Sequence, residues 1–232
     1  MALARQRMAL DPQAAIDRLY EVFPGTLTEP VEGCPCCITP SELELLSTTP
    51  LRSLSAKALE PYASSALLTV GSVEDLRYFW PRLVELSVQD AFFSDREIIF
   101  SKLRHGDWRT WPESEQRATE AFITAVLSDM ATRAYEGSEV DEWVCAFSFA
   151  LGDVTPHMEP LLAGTRAAAE SLYAFHARNA RQLARGRLGN AFWEDHSRAE
   201  ATIVAWFRRP EVDAAVTRAY GRHHTESDAP AG

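Results

Sequence analysis

Lysine is almost missing from this chain: Lys57 and Lys102 are the two lysines among 23 basic residues. Long apolar runs are missing too. None approaches the roughly 18–20 residues that span a bilayer, which excludes a membrane-spanning helix. Met1–Leu10 carries Arg5 and Arg7 with no apolar stretch behind them, so a secretory signal is not expected and a cytoplasmic address is. No stretch alternates with the period of two that marks a half-buried strand. The glycine-rich phosphate loops G-x-x-x-x-G-K-[ST] and G-x-G-x-x-G are absent, as is the G-x-S-x-G elbow. No H-E-x-x-H and no Glu-x-x-His occurs, which removes the common metalloprotease and di-iron patterns.

What is present is a 232-residue chain, 46% hydrophobic and 24% charged, with a formal charge of −10. That composition is ordinary for a globular protein. The acidic balance argues against nonspecific nucleic-acid binding, which requires phosphate neutralisation. The second half departs from that balance through Arg166, Arg178, Arg181, Arg185, Arg187, Arg198, Arg208 and Arg209. Arg178, Arg181 and Arg185 share one helix face. The plain expectation there is a solvated, ion-paired surface; the sharper one is a contact surface for an anionic partner.

Helix signals recur along the rest of the chain. Asp11-Pro12 provides a cap and a first-turn proline. Thr39-Pro40-Ser41-Glu42 restarts a short helix, and Ser55 caps one expected to reach about Val70. Gly71-Ser72 stops and recaps, and Pro81 inside the following helix predicts a kink or break. Ser94-Asp95 caps the next. Trp111-Pro112-Glu113 opens a helix expected to run to about Tyr135. Gly137-Ser138 and Gly152-Asp153 punctuate the chain beyond it. Thr165 to Ala184, Phe192 to Phe207 and Pro210 to Tyr220 complete the set, and residues 224–232 are expected to form a disordered tail.

A shift of about 81 residues places Gly71-Ser72-Val73 on Gly152-Asp153-Val154 and Arg117-Ala118 on Arg198-Ala199. The expectation is an internal duplication. The fold class is therefore all-α: stacked antiparallel helical hairpins, α-solenoid-like, resembling HEAT or armadillo repeats in architecture without matching their consensus. In that reading residues 1–54 cap the stack, 55–135 and 136–223 form two four-helix units, the second with a terminal helix, and all belong to one continuous domain. Three further motifs run through the first half: Pro50-Leu51-Arg52-x-Leu54, Gly71-x-Val73-x-Asp75-x-Arg77-x-Phe79-x-Pro81-Arg82, and Trp108-Arg109-x-Trp111-Pro112. With Cys34-Pro35-Cys36-Cys37 they resemble a group of uncharacterised bacterial all-helical proteins. That resemblance implies no activity.

Cys34-Pro35-Cys36-Cys37 is the sharpest chemical feature. Its C-x-x-C spacing suits two thiolates on one zinc or a redox dithiol, with Cys36 plus a distant histidine, or Cys145, completing a zinc site; reduced thiols packed at a loop are the bland alternative. The pairs Asp153/His157 and His196/Glu200 have helical spacing. Asp95, Glu97, Asp107, Glu113 and Glu115 place carboxylates near His105, Trp108 and Trp111. Trp108 and Trp111 flank a turn, where one could act as an exposed contact anchor. The function expected is a non-catalytic protein-binding or scaffold protein with another protein as partner. A metal-dependent enzyme using the cysteines or the His/Asp pairs is the alternative, and a nucleic-acid binder through the arginine-rich half is the second.

Overall fold

Side-chain caps from Asp11, Thr39, Ser55, Ser72 and Thr165 start five of the helices, and each is legible in the chain. The computed structural model describes residues 11–92 and 94–227. The expectations for Met1–Leu10 and for the last five residues lie outside them. Among the described residues there are ten α-helices, short 3₁₀ segments and no strands.

The chain forms two compact units, residues 1–122 and 123–232. In the first, α1 (Pro12–Val22) begins where the Asp11 carboxylate accepts the Gln13 N–H at 3.1 Å. α2 (Pro40–Thr48) and α4 (Val73–Val88) each open on a reciprocal capping box, Thr39 with Glu42 and Ser72 with Asp75. Between them lies α3 (Ala56–Ser65), capped by Ser55. α5 (Arg96–His105) comes next, and α6 (Glu113–Asp129) begins after a 3₁₀ turn at Trp108–Thr110, its residues from Ile123 onward belonging to the second unit. The core of this unit is aromatic: Tyr62, Phe79, Trp80 and Phe100 are fully buried, with the Trp80 and Phe100 rings edge to face at 5.2 Å.

The second unit is built from α7 (Gly137–Leu151), α8 (Arg166–Leu183), α9 (Ser197–Phe207) and α10 (Pro210–Ser227). α7 and α8 meet closely at Gly137, where a Cβ would lie 2.4 Å from the Ala174 carbonyl oxygen. Only glycine permits that approach. Asn179 cross-links the unit: its Nδ2 donates to Asp141 on α7, and its Oδ1 accepts the Gly189 N–H at 2.7 Å. Trp143, Phe147, Phe175 and Trp206 fill the interior.

Several elements differ from expectation for identifiable reasons. α3 stops at Ser65 rather than Val70, because residues 66–70 fold into a turn that accepts the cysteine loop: Leu67 takes a φ of 61° and Val70 bridges Gly33 and Ala66. α4 runs through Pro81 unbroken. Proline inside a helix costs about 3 kcal/mol, and the complete burial of Phe79, Trp80, Leu83 and Val84 around it outweighs that. α6 ends at Asp129, and the segment before α9 is a 3₁₀ turn over Ala191–His196. Gly71 and Gly152 both take positive φ. The elements after them differ, however: the 16-residue α4 comes after Gly71, and two 3₁₀ turns (Thr155–His157 and Glu159–Leu162) come after Gly152.

Candidate metal centre

Two buried apolar side chains, Val31 and Ile38, bracket the cysteines and anchor their loop. The backbone then fixes its course. Cys34 N–H donates to the Thr69 carbonyl at 2.9 Å, and Gly71 N–H donates to the Glu32 carbonyl at 2.8 Å, so the loop is laid along the 66–70 turn. Cys37 and Ile38 N–H both return to the Cys34 carbonyl, at 2.8 and 3.1 Å, which closes Cys34–Ile38 into a tight turn. Gly33 permits the close seat: a Cβ there would stand 2.6 Å from Ile38 Cγ2 and 3.1 Å from both Val70 methyls.

That turn presents all three sulfurs together. Cys34 and Cys36 Sγ are 2.9 Å apart, Cys36 and Cys37 Sγ 3.6 Å, and the three atoms lie within 4.8 Å of one another. All are free thiols, with Cys36 exposed and its neighbours half-buried. Hydrogen bonding from the Cys36 thiol, then from the Cys36 backbone N–H, holds the Cys34 pKa below its ordinary value. The same thiol contact, with Cys34 as partner, pushes Cys36 up to about 11. Such a cluster can hold a metal ion: ligands on one zinc at a Zn–S distance near 2.3 Å stand about 3.8 Å apart, so a modest opening of the Cys34–Cys36 contact suffices. Cys145 is not part of it. It is buried on α7 in the second unit.

Beside the turn lies an open cleft of about 730 Å³, lined by Glu29, Glu32, Gly33, Thr69, Glu74 and Asp75 among others. Leu68 and Leu45 are the large apolar side chains left exposed among the described residues, at 59% and 44%. Leu68 is on the turn that receives the Cys34 N–H, and Leu45 is on α2, which starts three residues after Cys37. Glu29, Glu32, Glu74 and Leu68 escaped sequence reasoning, because they come from separate segments and none carries a local pattern.

The other expected residues are placed differently. Trp108 and Trp111 are buried, at 2% and 5% exposure. Trp111 Nε1 donates to the Gly106 carbonyl at 3.0 Å and its ring meets Phe23 edge-on, so neither indole is a surface anchor. Arg178, Arg181 and Arg185 lie along the second half of α8 and beyond its end, all three exposed; the ion pairing expected of them is not seen among the described residues. Arg178 still acts on buried Asp141, whose pKa burial raises and Asn179, then Arg178, pulls back.

The carboxylates near His105 do not converge. Glu115 makes a bidentate pair with Arg77 at 2.8 and 2.6 Å, Glu113 pairs with Arg117, and His105 Nδ1 contacts its own helix at Ser101 O. Nor do the His/acid pairs form as expected. Asp153 caps Thr155 while His157 meets Thr124 at 3.1 Å; Glu200 accepts the Leu188 N–H at 2.8 Å while His196 packs on Phe149. Sequence reasoning also missed Lys102, which is buried with its Nζ donating to the Ser64 carbonyl at 2.8 Å and its pKa lowered by burial. In the second unit, a cavity of about 440 Å³ is lined by Arg166, Glu170, Tyr173 and His223 among others, but Arg166 already pairs with Glu170 at 2.6 Å.

Compared with protein families, with curated proteins and with solved structures, the chain matches none.

Proposed function

We propose that this chain is a non-catalytic binding protein whose working part is a surface thiolate site for a thiophilic metal ion, zinc being the first to test. The convergence of Cys34, Cys36 and Cys37 within 4.8 Å carries the reading. Three thiols on a turn held by backbone bonds are arranged before the ion arrives, so little ordering opposes binding. Zinc prefers four ligands, and three sulfurs leave one position for a donor from outside the site. The exposed Leu68 and Leu45 on the flanking elements offer apolar contact to a protein partner supplying it.

The test is metal content and cobalt substitution on the full chain. One equivalent of bound zinc, and intense thiolate-to-cobalt absorption that vanishes in C34S/C37S, is the expected result. Less than a tenth of an equivalent of any thiophilic ion after reconstitution, copper(I) included, or cobalt spectra without sulfur ligation, would overturn it.

A further inference from the structure

Three donors of one kind at a site ask which ion they select. Resting on the metal-binding reading above, we infer that the turn selects monovalent copper, held by Cys34, Cys36 and Cys37 in three-coordinate sulfur geometry, and that copper displaces zinc from it.

The donor set is the first argument. All three ligands are thiols, the softest side chains available, and soft donors favour Cu(I). The count is the second. Among the described residues the cluster of candidate ligands contains these three cysteines and no histidine, aspartate or glutamate. A structural zinc would need a fourth donor, whereas a trigonal Cu(I) is complete with three sulfurs.

The third argument is the chain's path. A four-residue turn pinned by Cys37 N–H and Ile38 N–H on the Cys34 carbonyl puts all three sulfurs on one ion without moving another segment. The fourth is the neighbouring cleft. Glu29 and Glu32 are exposed within it, alongside Glu74 and Asp75. Their negative field raises the local concentration of any cation; the sulfurs then discriminate by softness. Asp75 is committed to its capping box, so the cleft collects rather than ligates. Binding would release the remaining thiol protons to solvent, three thiols and one Cu(I) giving one tris-thiolate complex.

The experiment uses the full chain, reduced and anaerobic, titrated against the coloured Cu(I)–bicinchoninate complex, with and without prior zinc loading. The expected result is withdrawal of one Cu(I) per chain and release of any bound zinc. Each of C34S, C36S and C37S should weaken Cu(I) by at least ~10–100-fold, the penalty that even outer-shell changes carry, while C145A leaves it unchanged. X-ray absorption of the wild-type copper complex should show three sulfurs in one shell, a readout independent of any variant's folding. Zinc bound without displacement by equimolar Cu(I) overturns the inference and leaves the metal-binding reading standing. Two-sulfur coordination, or a C36S variant with wild-type Cu(I) affinity, overturns it as well. Failure to bind either ion sinks both.

Discussion

Replacing Gly33 with alanine tests the seat of the cysteine turn with a single methyl group. The new Cβ would stand 2.6 Å from Ile38 Cγ2 and 3.1 Å from both Val70 methyls, and Ile38 and Val70 are each only 2% exposed. Neither neighbour has room to retreat, so the methyl overpacks a closed pocket. Such insertions cost about 1–3 kcal/mol, which for a chain of this size lowers Tm by about 2–12 °C. Ile38→Ala alone removes the obstructing methyl but empties part of the pocket, at about 2–5 kcal/mol.

The double variant separates the two effects. If the clash is with Ile38, G33A/I38A is more stable than the sum of the single losses by at least ~1 kcal/mol, because the alanine methyl occupies space that Ile38 vacated. Urea unfolding of the four proteins at one pH supplies the cycle. Strict additivity, or a G33A protein that melts with the wild type, would refute the reasoning. Metal affinity measured on the same proteins should fall in G33A and recover in part in the double variant, since displacing the Gly33 backbone strains the Cys34 N–H bond to Thr69.

Other consequences can be checked as directly. Arg77→Ala leaves the carboxylate of Glu115, 4% exposed, without its bidentate partner; the loss should reach about 3 kcal/mol by urea unfolding, the low end for buried pairs because Arg77 is itself partly exposed. A double variant with methionine at 77 and leucine at 115 should recover most of it. Asp141 has its pKa raised, first by burial, so its contribution to stability is fully present below the ordinary aspartate value of 3.8 and is lost as pH rises through its elevated folded value. Stability of Asp141→Asn relative to wild type should therefore improve from acid toward neutral pH; a pH-independent difference would contradict the burial. Trp111→Ala should cost about 3–5 kcal/mol as a core truncation, whereas Arg181→Glu should change stability by less than about 0.5 kcal/mol, as thermal melts would show.

The helical class was readable because helix starts are written in short range. Asp11, Thr39, Ser55 and Ser72 each cap within three residues of themselves, and the structure keeps all four. Helix ends were less readable where a distant segment decided them. Nothing between Ser65 and Val70 says that Glu32 and Cys34 will pair with Gly71 and Thr69. Asp95 illustrates the same limit at a start: it makes no capping bond, and the neighbouring Ser94 N–H is taken at 2.9 Å by Glu60, 34 positions away. In the candidate site, the three cysteines were visible as neighbours in sequence, and their convergence comes from a four-residue turn. The acidic cleft and Leu68 were not visible, because they are assembled by tertiary contact. Trp108 and Trp111 misled through their turn position, since the burial of an indole depends on what packs over it.

The two backbone bonds that lash the cysteine loop to the 66–70 turn have a practical consequence. Their hydrogens, on Cys34 and Gly71, exchange with solvent only when that lashing opens. Whatever draws the sulfurs together must hold the opening shut, so deuterium uptake at these two amides would register occupancy of the thiols without any spectroscopic signal from the occupant.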